Sequence, residues 1–211
     1  MAELAQTLDR GLRVLFALAD APGGRRVAEL AADLRLARPI VYRLLSTLEG
    51  RGLAHRAGDG QYRIGLAVLE LARRVQPLLR EAALPVLRSL AEQVGATAHL
   101  TVADGDEALA VAVVEPSWTD FHVAYRVGSR HPLGRGAAGR AILLGREPAT
   151  FADYVTTEGE LQPGAHGVAA PVRDVPGLSA SIGVVALVDL DPNAVAPHVL
   201  TAATRLSQAL R

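Results

Sequence analysis

Apolar positions in the first third of the chain recur with the period of an α-helix and predict three helices. The stripe in residues 6–19 consists of Leu8, Leu12, Leu15, Phe16 and Ala19. The turn at residues 20–24 ends this helix, and a second helix is predicted over about residues 27–34. A third begins near Pro39, with Ile40, Leu44, Leu45 and Leu48 on its apolar face. The short connection between the second and third helices favours a helix-turn-helix.

A hairpin is predicted directly after the third helix. Two short extended runs, residues 53–56 and 61–64, flank the turn Ala57-Gly58-Asp59-Gly60. Three helices followed by a two-stranded hairpin are typical of a winged helix. The alternative is a small helical subdomain with a packing role only.

The rest of the chain predicts an α+β domain joined to the first by a linker helix. Helical spacing continues from Leu66 to Val94, where Pro77 and Pro85 are expected to break the helix. From Thr97 the period becomes strand-like. The predicted strands are 97–103, 107–115, 121–127, 168–173 and 179–190, and the predicted helices are 137–144 and about 192–210. These elements define a winged helix over residues 1–66, a linker over 67–80 and an α+β sensor domain over 81–211.

Composition narrows the class of protein. The chain has 211 residues, of which 50% are hydrophobic, enough to form a core. There is no cysteine, which rules out disulfides and thiolate metal sites. No apolar stretch approaches the roughly 18 residues that span a bilayer. We therefore expect a soluble cytoplasmic protein without a membrane partner.

The charge is distributed unevenly although the net charge is zero. Residues 1–80 hold 13 arginines against 8 acidic residues, and residues 81–211 hold 9 against 14. Every basic residue is arginine. This division predicts a nucleic-acid-binding N-terminal part and an acidic C-terminal part.

Double-stranded DNA is the partner expected for the first domain. Arginines would neutralise phosphates, and the third helix would read bases in the major groove. The candidate DNA-binding residues are Arg26, Arg35, Arg38, Pro39, Val41, Tyr42, Arg43, Ser46, Thr47, Arg56, Gln61 and Arg63. Tyr42 is equally compatible with a place in the core. Dimerisation on a near-palindromic operator is expected, because a single DNA-binding domain rarely distinguishes its operator from other DNA well enough.

The chain resembles the IclR family of bacterial transcriptional regulators along nearly its whole length. The resemblance lies in LDRGLRVLFALA, VAELAADLRLARPIVYRLLSTLEGRGLAHR and QYRIG of the first domain. It continues in LPVLRSLAEQVGATAHLTVADGDEALAV, VGSRHPLGRGAAGRAILL, GELQPGAHGVAAPVRD and SASIGVVALV. It implies a winged helix-turn-helix, a linker helix and a GAF-like effector-binding domain, assembled as a homodimer or a dimer of dimers.

The resemblance also implies a small-molecule effector site. Its candidate residues are His122, Arg126, Ala137, Ala138, Gly139, Thr157, Glu158, Glu160, Gly167, Ser181, Gly183 and Val185. Backbone N–H groups near Ala137 to Gly139 are expected to hold a carboxylate, as at other helix starts. The chain departs from the family in two respects. It is shorter between Leu144 and Tyr154, and Gly167, Gly183 and Val185 stand where a cysteine and a Ser-x-Ser pair are frequent.

Other chemistries find little support in the sequence. Residues 134–139 satisfy G-x-G-x-x-G, but no strand precedes them and no βαβ unit surrounds them, which argues against dinucleotide binding. The histidines show no ligand spacing, so we expect neither a metal nor a cofactor. Ser179 and Ser181 have no identifiable base, so we expect no enzyme activity.

The sequence thus favours an effector-responsive transcriptional regulator, and among regulators it favours a repressor. The alternative is an effector-independent global or architectural DNA-binding protein, which the missing segment and the apolar substitutions suggest.

Overall fold

The structure is a computed structural model that describes residues 5–118, 125–147 and 153–211. The chain divides into two compact units, Met1–Val75 and Gln76–Arg211. Within the described parts, no helix has the combination of length and apolarity needed to cross a membrane.

The first unit is a winged helix. Its helices are α1 (Gln6–Ala19), α2 (Val27–Asp33) and α3 (Arg38–Gly50), and its hairpin consists of β1 (Ala54–Arg56) and β2 (Tyr62–Ile64). Tyr62 is buried, and its backbone exchanges two 2.8 Å hydrogen bonds with Arg25 at the start of α2. The wing is therefore tied to the helices by backbone as well as by side chains.

The core of this unit differs from the predicted apolar faces in two helices. Val14 and Leu18 are the buried residues of α1, whereas Leu8, Leu12 and Phe16 are 62%, 42% and 64% exposed. In α3 the buried face contains Val41 in addition to Leu44, Leu45 and Leu48, and Ile40 lies only partly buried beside it. Apolar spacing alone did not distinguish the core stripe from a neighbouring exposed one.

Residues Ala67–Val94 form a single long helix, α4, so the predicted break at Pro77 and Pro85 is wrong. Both prolines lie inside the helix, and the boundary between the two compact units falls between Val75 and Gln76. A proline removes one backbone hydrogen bond and disfavours the preceding helical conformation. Side chains on the α4 turns near Pro85, including Leu87 and Leu90, are buried in the core of the second unit, and this packing outweighs the local penalty.

The second unit is built on one antiparallel sheet. Its strands are β3 (Thr97–Asp104), β4 (Glu107–Val114), β5 (Arg130–Pro132), β6 (Val155–Glu158), β7 (His166–Val172) and β8 (Ala180–Ala186). They lie in the order β5-β4-β3-β8-β7-β6. The helices of this unit besides α4 are α5 (Gly136–Arg146) and α6 (Pro192–Ala209). Helices and an antiparallel sheet confirm the α+β class.

The two faces of the sheet have different partners. Even-numbered residues of β3, β7 and β8, such as Leu100, Ile182 and Val184, form the main core with α4 and α6. Odd-numbered residues of these strands lie on the face where Ala169 packs against Ala137 and Ala141 of α5. This second face carries polar side chains, including His99 and Thr101, and it is the face that holds the cavity described below.

The predicted strands differ from the observed ones at three places. Tyr125–Val127 belong to no strand, and the remainder of the strand predicted at 121–127, through residue 124, lies outside the described residues. Strands β5 and β6 were not predicted, because three- and four-residue strands show too little alternation to be recognised.

Candidate functional site

The exposed face of α3 is the first candidate site, and the buried face fixes its orientation. Arg38, Tyr42, Arg43, Ser46 and Thr47 are exposed along one side of the helix. Tyr42 is 53% exposed, which removes the alternative that it belongs to the core. Val41 is fully buried and cannot read bases, so the prediction of Val41 as a base contact is wrong. Its neighbours at i+3, i+4 and i+7 are the buried leucines, which explains its place in the core.

The structure brings other predicted residues close to this face. Arg26, Arg38 and Tyr42 line one surface groove together with Gly60 at the tip of the wing. Arg26 and Pro39 are exposed where α2 and α3 begin. Arg35 lies in the turn between these helices with a φ of 53°. Two arginines therefore border this groove. In helix-turn-helix proteins, arginines near the start of the recognition helix commonly contact DNA phosphates.

The polar side chains of the wing are divided between structural and exposed positions. The Arg63 guanidinium donates to the carbonyl oxygen of Gly23 at 3.2 Å and pairs with Asp59 at 3.3 Å. With its amide turned so that the nitrogen faces the two acceptors, Gln61 donates to the carbonyl oxygens of Gly23 and Gly24. Both side chains therefore attach the wing to the loop after α1. Arg56 is exposed, with its guanidinium carbon 5.9 Å from the centre of the Tyr62 ring.

The second candidate site is a cavity of about 80 Å³ between α5, the odd-numbered face of the sheet and the chain after β6. Of the predicted effector residues, those that line it are Ala137, Ala138, Thr157, Glu160, Gly167 and Val185. Lining residues that the sequence reasoning did not select are His99, Tyr125, Gly136, Leu161, Gln162, Ala165 and Val184. His99 could have been selected from the sequence, because it lies between the apolar residues Ala98 and Leu100 of a buried strand.

Several predicted effector residues have structural roles instead. The Ser181 hydroxyl is fully buried and donates to the carbonyl oxygen of Ala138 at 2.9 Å, which holds α5 on the sheet. At Gly139 a Cβ atom would lie 2.5 Å from the carbonyl oxygen of Leu133, and at Gly183 it would lie 2.5 Å from that of Val168. These two glycines are needed for close backbone packing and are not lining residues.

The remaining predictions for this site lie away from the cavity. Glu158 is exposed on β6 and borders a separate shallow depression with His166 and Asp189. Arg126 is exposed in the turn before β5, and its backbone N–H donates to the Ser129 hydroxyl at 3.2 Å. His122 lies outside the described residues.

His99 is the buried titratable group of the cavity. It is 3% exposed, and burial lowers its pKa from 6.5 to about 3, with a smaller contribution from the charge of His131. Its Nδ1 is 3.2 Å from the Thr101 hydroxyl, and its ring centre is 5.1 Å from that of Tyr125. Burial also raises the pKa of the Tyr125 phenol. Both rings are therefore uncharged near neutral pH and present neutral hydrogen-bonding groups.

Glu160 is held at the start of α5 by three groups. Its Oε2 accepts from the Gly136 N–H at 2.8 Å, and its Oε1 accepts from the Arg140 guanidinium at 2.7 Å. The Arg135 guanidinium donates to the Glu160 carbonyl oxygen. The Gly136 hydrogen bond, followed by the bond and charge of Arg140, lowers the pKa of the carboxyl. Glu160 is thus an anion at the positive end of α5.

Residues 134–139 form no dinucleotide site. The described sheet is antiparallel throughout, whereas the fingerprint requires a parallel βαβ unit. Gly136 has a φ of 72° and lies against Leu161, and Gly139 permits the contact with Leu133. In the described parts of the chain, no three His, Asp or Glu residues are grouped as a metal site.

A winged helix with an exposed basic face, followed by an α+β unit with a cavity, is the architecture typical of DNA-binding sensor proteins. The comparison with protein families is more specific. The model of the IclR helix-turn-helix domain matches residues 7–58, and the model of the bacterial transcriptional regulator IclR C-terminal domain matches residues 75–158. The chain belongs to the IclR family.

Individual relatives agree with this assignment. The HTH-type transcriptional regulator KipR of Bacillus subtilis is 34% identical over 119 residues, which cover 56% of this chain and 47% of KipR. The transcriptional repressor IclR of Escherichia coli is 28% identical over 142 residues, or 65% of this chain and 52% of the repressor. The chain spans about half the length of these curated relatives.

Solved structures show the same fold. An IclR homolog from Microbacterium hydrocarbonoxydans, complexed with 4-hydroxybenzoate, has a TM-score of 0.56 and 21% identity. The match covers 97% of this chain and 99% of that homolog.

Proposed function

We propose that this protein is a transcriptional regulator, most simply a repressor, that binds an operator through α3 and responds to a small molecule bound in the cavity of the second unit. The observation that carries the DNA-binding part is the division of α3 into a buried face and an exposed basic face. Val41 and the three leucines fix the helix, while Arg38, Tyr42 and Arg43 are exposed. The proposed domains are residues 1–66 for DNA binding, 67–80 as linker and 81–211 for effector binding, and the proposed location is the cytoplasm.

The effector-binding part rests on the cavity and on family relatives. The Microbacterium homolog, which has the same fold, was solved in complex with 4-hydroxybenzoate. The cavity here is lined by six of the residues expected from the family resemblance. Both observations support a small-molecule site in the second unit. Such a cavity favours an effector-responsive regulator over an architectural DNA-binding protein. The carboxylate effector expected from the sequence remains a prediction.

Homodimerisation is the third part of the proposal. Leu8, Leu12 and Phe16 follow one another at i, i+4 and i+8, so they form a continuous apolar stripe on α1. Contiguous exposed apolar surface of this kind is characteristic of protein interfaces. We propose that a second copy of the chain binds this stripe, because a near-palindromic operator needs two DNA-binding domains.

A gel-shift titration tests the proposal. The purified protein is titrated against the promoter DNA next to its own gene, at two salt concentrations and with unrelated competitor DNA. We expect competitor-resistant binding that weakens steeply with salt, by about 0.9 in the logarithmic slope for each phosphate contact. Binding no tighter than to the competitor would contradict a specific operator at this promoter.

A further inference from the structure

One ring nitrogen of His99, Nε2, is open to the cavity. His99 lines the cavity, and its other ring nitrogen, Nδ1, lies 3.2 Å from the Thr101 hydroxyl. Among the described residues, Nε2 has no hydrogen-bond partner, and the one side-chain atom that is both inaccessible to solvent and unpaired is Thr97 Oγ1. Nε2 is therefore accessible. Because His99 is only 3% exposed, the space that Nε2 contacts is the cavity.

The position of the proton on His99 follows from a chain of buried polar groups that begins at His131. The His131 Nδ1 lies 3.2 Å from the carbonyl oxygen of Pro132. A carbonyl oxygen only accepts hydrogen bonds, so Nδ1 carries the proton of the neutral His131 ring and its Nε2 is an acceptor. The Tyr125 hydroxyl, 3.4 Å from this Nε2, consequently donates to it.

The chain continues from Tyr125 to the cavity. The phenolic proton is directed at His131, so the phenolic oxygen accepts the hydrogen bond that joins it to the Thr101 hydroxyl. Thr101 is fully buried, and its single proton is used in this bond. Its oxygen therefore accepts from His99, which requires the proton of the neutral imidazole to lie on Nδ1. The Nε2 atom of His99 is thus an unprotonated acceptor.

An unprotonated acceptor in a cavity wall discriminates between ligands. A ligand hydroxyl can donate to Nε2, whereas a ligand of the same shape without a donor displaces water from Nε2 and leaves it unpaired. Sites that hydrogen-bond a substrate hydroxyl reject the analogue that lacks it for this reason. The selection concerns the donor group and is independent of the charge elsewhere on the ligand.

We infer that His99 is a specificity-determining residue of the cavity, whose Nε2 accepts a hydrogen bond from a hydroxyl group of the ligand and is kept unprotonated by the chain through Thr101 and Tyr125 to His131. This inference rests on the proposed effector function of the cavity and specifies one group that its ligand carries.

Ligand pairs in which fluorine replaces a hydroxyl group test the inference, because fluorine is similar in size but donates no hydrogen bond. The purified ¹⁵N-labelled protein is titrated with glycolate and fluoroacetate, and with phenol and fluorobenzene, and dissociation constants are obtained from chemical-shift changes. We expect at least one hydroxyl compound to bind at least tenfold more tightly than its fluorine analogue, with shifts of the His99 ring signals. Equal or tighter binding of the fluorine analogues would overturn the inference.

The tautomer of His99 is measured directly on the protein without ligand. Two-bond ¹H–¹⁵N correlation spectra identify which ring nitrogen carries the proton. We expect the proton on Nδ1, and a proton on Nε2 would overturn the inference whatever the ligands show.

The variant His131→Phe tests the chain from its far end, because His131 is not among the described residues that line the cavity. Without this acceptor the Tyr125 hydroxyl can donate to Thr101, and Thr101 to His99, which moves the His99 proton to Nε2. We expect this change of tautomer and a hydroxyl preference reduced to less than threefold. An unchanged tautomer would overturn the assigned chain.

Two further variants control for structural effects of the substitution. His131→Gln keeps an oxygen that accepts from the Tyr125 hydroxyl, so it should retain both the tautomer and the hydroxyl preference. His198→Phe makes the same change at an exposed histidine of α6 and should also retain both. Loss of the preference in His198→Phe would show that the effect is not specific to the chain and would overturn it.

Failure of the inference can be told apart from failure of the proposed function. If the fluorine analogues bind as tightly as the hydroxyl compounds, the cavity is a ligand site and only the role of His99 is wrong. If none of the four compounds binds, the cavity is not a site for these molecules and the inference falls with it. Operator binding in the gel shift is independent of both results and tests the regulator itself.

Discussion

Burial of a single residue, His99, determines its protonation state in the folded protein. The imidazole is enclosed between the sheet, Thr101 and Tyr125, and no carboxylate is near enough to stabilise its protonated form in the described structure. Its pKa of about 3 means that the folded protein holds the neutral ring, whereas the unfolded chain takes up a proton below about pH 6.5. The buried His99 ring is thus a link between pH and stability.

The first prediction follows from this linkage. Because the folded-state pKa of His99 is depressed, its contribution is complete above pH 6.5 and is lost as the pH falls towards 3. At pH 5 the loss amounts to about 2 kcal/mol of unfolding free energy, or 1.36 kcal/mol per pH unit over 1.5 units. Urea unfolding at pH 8 and pH 5, followed by the fluorescence of the single tryptophan, Trp118, measures it.

Two histidine variants separate this effect from the titration of carboxyl groups. His99→Gln should reduce the stability difference between the two pH values by about 2 kcal/mol. His198→Gln, which alters an exposed histidine of α6, should not change it. An identical pH dependence in the wild type and His99→Gln would contradict the assignment.

The second prediction concerns Arg43 on the exposed face of α3. Arg43→Ala should weaken operator binding at least tenfold, because a good side-chain contact to a base or phosphate contributes about 1–3 kcal/mol. The fold should be unaffected, since Arg43 is exposed. Gel-shift titrations measure the affinity, and circular dichroism checks the fold. Arg88→Ala, an exposed arginine of the second unit, is the control, and an equal loss in both variants would point to a non-specific charge effect.

Helix α5 lies close to the sheet because several of its residues have small side chains or none. Gly139 allows the helix to approach the backbone of Leu133, and Ser181 binds the carbonyl oxygen of Ala138 from the sheet. Ala137 and Ala141 are small enough to pack directly on Ala169. This close packing places the N–H groups of the first turn beside the cavity.

The third prediction tests this packing. Gly139→Ala places a Cβ atom 2.5 Å from the Leu133 carbonyl oxygen, a backbone atom that cannot rotate away. We expect a loss of about 1–3 kcal/mol in unfolding free energy, measured with urea and Trp118 fluorescence. Gly134→Ala lies in the preceding loop with no atom within 4 Å of the new Cβ, and it should be close to neutral. A stabilised Gly139→Ala protein would show that α5 can move outward without cost.

The whole molecule contains two units with separate cores. The core of the first unit is built on Val14, Leu30 and Leu45, and that of the second on residues such as Leu87 and Leu206. The apolar stripe on α1 belongs to neither core. In the homodimer that we propose, association of two chains would bury this stripe.

The fourth prediction is that this stripe holds the dimer together. Phe16→Glu places a charge where apolar contact is proposed, so analytical ultracentrifugation should show a shift from dimer towards monomer by at least tenfold in the dissociation constant. The fold should persist, because Phe16 is 64% exposed. Gln6→Glu adds a charge to an exposed position of the same helix and should leave the dimer intact. A Phe16→Glu dimer of unchanged strength would place the interface elsewhere.

The helices and the hairpin of the first unit were predictable because their signals are local. Helical periodicity, the turn residues 20–24 and the Gly-Asp-Gly turn of the wing each specify the conformation of neighbouring residues. The uninterrupted α4 was not predictable in this way. The effect of Pro77 and Pro85 depends on how the flanking turns pack, and packing is a property of distant residues.

The sequence by itself determined the family, the α+β class and which helix carries the exposed arginines, because these follow from spacing and residue type along the chain. Only the tertiary structure decided that Val41 is core and Tyr42 is surface, and that Glu160 bonds to Gly136 across 24 residues. It likewise brought His99 to the wall of the cavity. These facts depend on which side of an element faces its neighbour and on contacts between residues far apart in the chain. Local periodicity carries no information about either.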